Sequence, residues 1–196
     1  MSPILGIWAS QNYSRYSITG DFESIATTTV GSGGASNVEF TSIPGTYTHL
    51  QVRCFAQTNR GTYGIDEANI TFNSDTNSNY ARHFIYGDGS SAFADGQSSQ
   101  TSMVSGSGNF GTTTGSNWGI AIVDILDYAN TNKYKTMRTL SGTDCNGTVG
   151  GLGGRMNFVS GLWQNTNAIT SIKFVPTVGT LFSQYSSFAL YGIRSA

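Results

Sequence analysis

In the stretch "TYTHLQVRCFAQT" (46–58), Leu50, Val52, Cys54 and Ala56 fall on one side of an extended chain, and Gln51, Arg53 and Gln57 on the other. Successive side chains of a strand point to opposite faces, so a period of two marks a half-covered β-strand. The period recurs at 24–31, 37–43, 69–73, 80–86, 133–142, 155–165 and 168–177, and no window carries a convincing helical period. An all-β chain of roughly ten short strands is therefore expected. Its 25 Gly and only 3 Pro suit Gly, Ser, Thr and Asn turns. This pattern predicts a jelly-roll-like antiparallel β-sandwich over residues 23–196, preceded by a separate segment, 1–22. "SIATTTVG" and "NVEFTSI" are read as a hairpin across "SGGAS", and residues 95–117 as a long polar surface loop with a short strand near Met103 and Val104.

Two strands break the half-covered rule. In "WGIAIVDIL" (118–126) both alternating sets are apolar, Trp118-Ile120-Ile122 and Ala121-Val123-Ile125, as in a strand covered on both faces. The stretch "SSFALYGIR" (186–194) repeats this, with Phe188 and Leu190 on one face and Ala189, Tyr191 and Ile193 on the other. One domain core covers only one such face, so Ala189, Tyr191 and Ile193 are expected to meet another copy of the chain. At the other end, Ile4, Leu5, Ile7 and Trp8 form an apolar run that reads as a first strand or as an arm laid on another protein.

Charged residues make up 11% of the chain and the formal net charge is −1. That gives no electrostatic reason to expect nucleic acid or an anionic membrane as partner. Aromatic residues at 12% argue against disorder. The start, "MSPILGIWAS", lacks a basic n-region, and its apolar run is too short for a signal peptide or a membrane span. Cys54 and Cys145 are too few for a disulfide scaffold and are read as unpaired.

The motifs that carry chemistry all have plainer readings. "GSGNFG" (106–111) matches the dinucleotide fingerprint, but "GTTTGSN" after it is no helix to receive a pyrophosphate. "DTNSN" (75–79) opens like a calcium loop, yet Tyr80 and Tyr86 stand where Gly and Glu are required. An Asx turn is the better reading. Asp124 and Asp127 lie on opposite faces of one strand, and Asp66 and Glu67 are adjacent, so neither pair can flank one bond. A distant glycosidase pair such as Asp88 and Asp144 stays open, because the separation that matters is spatial. His49 and His83 are the only histidines, and neither G-x-S-x-G nor H-E-x-x-H occurs. No catalytic residue, metal ligand or cofactor is assigned.

Taken together, "ILGIWASQ", "TVGSGGASNVEFTSIPGTYTHLQVR", "NSNYARHFIYGDGSS", "VDILDYANTNKYKT" and "YSSFALYGIR" resemble segments of small virion proteins of tailed bacteriophages. The likeness runs through most of the chain and is weakest across 95–117. It implies a non-enzymatic virion surface protein, assembled in the host cytoplasm, with a β-sandwich fold and trimeric assembly. In that setting Ile4, Leu5, Ile7 and Trp8 would dock on other virion proteins, and exposed loops would meet host surface glycan. A capsid decoration or cement protein is the neighbouring reading, and a polysaccharide depolymerase the enzymatic one. The resemblance brings no catalytic residues with it.

Overall fold

The computed structural model describes residues 21–61, 63–104, 110–114, 116–149 and 152–194. These form fourteen strands and no helix: β1 (Phe22–Thr29), β2 (Val38–Phe40), β3 (His49–Thr58), β4 (Ile65–Asp66), β5 (Ala68–Phe72), β6 (Tyr80–Gly87), β7 (Ala92–Gln100), β8 (Met103–Val104), β9 (Phe110–Thr112), β10 (Gly119–Leu126), β11 (Lys135–Val149), β12 (Leu152–Trp163), β13 (Ile172–Pro176) and β14 (Ser187–Ile193). A ten-stranded sheet runs β1-β14-β3-β10-β11-β12-β6-β7, with β4 and β9 off this path. A four-stranded sheet runs β2-β13-β5-β8. All pairings are antiparallel except that of β3 with β9. The class is the all-β sandwich that the period of two predicts.

The core sits between the sheets. Leu50, Val52, Cys54 and Ala56 of β3, Ala121, Val123 and Ile125 of β10, and Phe188 and Leu190 of β14 join Phe40, Ile70, Phe72, Ile172 and Phe174 of the smaller sheet in one buried cluster. Each fully buried large side chain is worth about 1.5–3 kcal/mol relative to exposure, so this alternation fixes the register of the central strands. The rings of Phe174, Phe182 and Phe110 surround Phe188 at centroid distances of 5.3, 5.0 and 6.3 Å. Both cysteines are free, and burial pushes the Cys54 thiol far above its ordinary range.

Buried polar groups tie the loops to this frame. Asp66 is almost wholly buried, accepts from Thr58 Oγ1 at 2.7 Å, and takes the backbone N–H groups of Val178 and Gly179. Lys135 is fully buried and donates through Nζ to the carbonyls of Asn130, Lys133 and Thr166 at 2.5, 2.8 and 2.9 Å. Asp75 closes the loop between β5 and β6. Its Oδ1 takes the Asn77 N–H at 2.9 Å, and its Oδ2 takes Asn79 Nδ2 and the indole N–H of buried Trp163, both at 2.8 Å. The "DTNSN" segment is thus an Asx turn, as its spacing suggests.

Two expectations change. The stretches 24–31 and 37–43 do not form a hairpin: β1 pairs with β14 and β2 with β13, in different sheets. Gly33 and Gly34, both at positive φ, carry the chain from one sheet to the other, and a Cβ on Gly34 would lie 2.8 Å from the Phe182 carbonyl oxygen. Turn residues report a change of direction but not the strand that follows it as partner. Much of 95–117 is strand instead of loop: β7 and β9 add to the short strand expected at Met103 and Val104, which is β8. There Arg82 of β6 holds Gln97 of β7 through Nε and Nη2 at 3.1 and 2.8 Å, a cross-strand clasp that a low-complexity composition does not announce. Of the expected segment 1–22, residues 1–20, with Ile4, Leu5, Ile7 and Trp8, lie outside the described residues, and Phe22 already opens β1.

Candidate assembly surface

The second apolar face of β10 is not covered by the described residues. Ala121, Val123 and Ile125 point into the core, whereas Ile120, Ile122 and Leu126 point outward and are exposed. Register carries the pattern across the neighbouring strands. One row runs Phe55 (β3), Ile120 (β10), Gly142 (β11), Met156 (β12) and Gly87 (β6). The adjacent row runs Arg53, Ile122, Leu140, Phe158, Ile85 and, on β7, Ala94. Phe55, Ile85, Ile120, Ile122, Leu140, Met156 and Phe158 are each between 37% and 68% exposed. They form one apolar belt on the outer face of the large sheet, five strands wide. At about 4.8 Å per strand, β3 to β6 is roughly 19 Å.

One margin of the belt is polar. The next row contains Gln51, Asp124, Arg138, Ser160 and His83. Gln51 Nε2 donates to Asp124 Oδ1 at 2.8 Å, and Arg53 Nε donates to Gln51 Oε1 at 2.9 Å. The Arg138 side chain is exposed and has no hydrogen bond or ion pair among the described residues. Toward β7 the belt ends in a groove of about 420 Å³ lined by His83, Ile85, Ala94, Phe158 and Ser160. The His83 imidazole leans on Gly96, where a Cβ would come within 2.6 Å of it. At the other end Phe55 stacks on Trp118 with centroids 5.0 Å apart.

Ala189, Tyr191 and Ile193 lie on this same outer face. Ala189 pairs with Arg53 and Tyr191 with Gln51, so Ala189 shares a row with Ile122, two strands away. They are half-buried within the chain itself. Phe22 stacks on Tyr191 at 4.8 Å and the Arg53 guanidinium covers the same ring at 5.4 Å. The greatest apolar exposure is therefore on β10, β11, β12 and β6. The belt residues of β11 and β12 escaped sequence reasoning because Leu140 sits between Thr139 and Ser141 and Met156 between Arg155 and Asn157. Only the register lines them up.

The polar candidates for chemistry are spread apart. His49 Nδ1 accepts the backbone N–H of Asp127 at 3.0 Å, and Lys133 forms an ion pair with Asp127. That lysine hydrogen bond holds the Asp127 carboxyl below its ordinary range. Asp88 caps its own turn through the N–H groups of Ser90 and Ser91. Among the described residues no group of three or more His, Cys, Asp or Glu could hold a metal ion. No helix of the described residues is long and apolar enough to cross a membrane. Of "GSGNFG", residues 106–109 lie outside the described residues, and its last two residues begin strand β9, where a dinucleotide site needs a helix.

No protein-family model matches the chain, and no curated protein matches it. Among solved structures the chain is similar to a GH43 glycoside hydrolase whose engineered active site displays both endo-xylanase and exo-arabinofuranosidase activity, with a TM-score of 0.37 and 10% identity. The match covers 87% of this chain and 36% of that one, so the chain spans little more than a third of the structure it matches.

Proposed function

We propose that this chain is a non-enzymatic structural subunit of a phage virion surface, a fibre or appendage module that docks on the particle and presents loops to the host. The observation that carries the reading is the apolar belt. A sheet that turns seven large apolar side chains to solvent in two adjacent rows has a surface made to be covered by protein. The segments similar to phage virion proteins contribute directly to that sheet. "NSNYARHFIYGDGSS" contains β6, "VDILDYANTNKYKT" joins β10 to β11, and "YSSFALYGIR" contains β14. In this reading Ile4, Leu5, Ile7 and Trp8 anchor the subunit to other virion proteins.

Labelling intact particles with an antibody to the chain tests the reading. Label on tail fibres or appendages is the expected result, and removal of residues 2–10 should leave folded subunits out of the particle. Label on the head would instead make the chain a capsid decoration protein. Absence from the particle would overturn the virion reading, and release of reducing sugar from host glycan by the purified chain would overturn the non-enzymatic one.

A further inference from the structure

Resting on the structural-subunit reading, the geometry points to one occupant for the belt: a second copy of this chain, packed face to face about a two-fold axis. The seven side chains and their exposures amount to roughly 700–800 Å² of apolar surface, taking a large side chain as about 200 Å². Solvent-facing apolar patches of monomers usually reach about 300–600 Å². The belt exceeds that and matches the share of about 800 Å² that each partner gives to a stable interface. Its flat, rectangular outline suits a second sheet, because sheets stack about 10 Å apart with interdigitated side chains.

Relief and charge agree with a self-complementary contact. In the upper row the large residues Ile120 and Met156 alternate with Gly142 and Gly87. A Cβ on Gly87 would meet nothing closer than 3.8 Å, so that position leaves a shallow recess. A facing copy can seat its own Ile120 or Met156 there. The polar margin carries both signs, Asp124 beside Arg138, so a two-fold can set the free Arg138 of each copy against the partner's Asp124. The other candidate within the chain is the run Ile4, Leu5, Ile7 and Trp8. Four side chains on one extended segment cover about one row, whereas the belt has two rows across five strands. A single self-complementary patch closes about a two-fold, while a three-fold contact needs two different patches.

Light scattering on the purified chain tests this without any virion. The expected mass is about 42 kDa, twice the 20.9 kDa of one chain. Ile120→Asp with Leu140→Asp places two carboxylates in the contact at positions that are solvent-exposed in a single chain. It should raise the dissociation constant at least about 30-fold and leave the circular dichroism spectrum unchanged. Arg138→Asp should weaken the dimer, and adding Asp124→Arg should restore it. A wild-type chain that stays monomeric at micromolar concentration overturns the proposal, and dimerisation gained on deleting residues 1–20 would name the N-terminal segment as occupant. A trimer of about 63 kDa overturns the two-fold. If the exposed-face variant unfolds, Leu140→Ser, read by mass alone, decides. A dimer that never enters particles would fail the virion reading and leave this one standing.

Discussion

Replacing Asp75 with alanine removes one carboxylate from five hydrogen-bond donors at once, the bond from the Asn165 amide at 3.5 Å being the longest. The backbone and side chain of Asn77 and the side chain of Asn79 are near water and can rebond to it. The indole N–H of Trp163 cannot, because that side chain is fully buried among Phe72 and Tyr80. A buried donor stripped of its acceptor costs about 1–3 kcal/mol, and the lost bonds to a charged acceptor put the total near the top of that range. About 3 kcal/mol is a factor of roughly 150 in the unfolding equilibrium. For a chain of this size it lowers the midpoint temperature by about 6–12 °C. Urea titration followed by tryptophan fluorescence reads the change, and Asp75→Asn, which keeps an acceptor oxygen, should lose only about a third as much. An alanine variant within about 0.5 kcal/mol of wild type would show that the indole bond does not organise this corner of the core.

The same carboxyl sets an acid limit. Burial works to raise its pKa, but the hydrogen bonds from Asn79, Asn77 and Trp163 outweigh it and hold the value at about 2, against 3.8 for a free Asp. The folded value lies below the unfolded one, so this stabilisation is complete above about pH 4 and is lost as pH falls toward about 2. Urea midpoints should fall over that interval, and less steeply for Asp75→Asn. Lys135→Met, which strands the carbonyls of Asn130, Lys133 and Thr166, should cost about 2–4 kcal/mol in the same titration. Gly192→Ala should cost about 1–3 kcal/mol, since its Cβ would fall 2.3 Å from the Tyr47 ring, which Glu23 pins through the phenol. Gly45→Ala, with open space around it, should be neutral in the same titration.

Strand interiors were legible in the sequence and distant strand partners were not. The inward faces of β3, β10 and β14 follow directly from alternation, because burial of one face and the period of two leave no freedom. The pairing of β1 with β14 joins residues more than 150 positions apart, and nothing local in "SIATTTVG" encodes it. Propensity also misled at β7: "ADGQSSQ" reads as loop, but pairing with β6 and the Arg82–Gln97 clasp override it. The doubly apolar pattern of 118–126 reads as a strand covered on both faces, whereas the outer face of β10 is exposed among the described residues. The extension of that face across β11, β12 and β6 needed the register.

β14 lies between β1 and β3, and among the described residues β1 has no other partner in the sheet. A growing chain therefore cannot complete this edge until residues 187–193 have been made, however early β1 is translated. Pairings of such long sequence separation place the fold among the slow folders, in which loop closure precedes any reward. Until then the Phe188 and Leu190 positions of the core stay empty, and the inner surface of β3 stands open beside the outer belt. A chaperone or a short dwell at low concentration would guard that interval, and a variant that slows insertion of β14 would show its defect in yield before it showed one in stability.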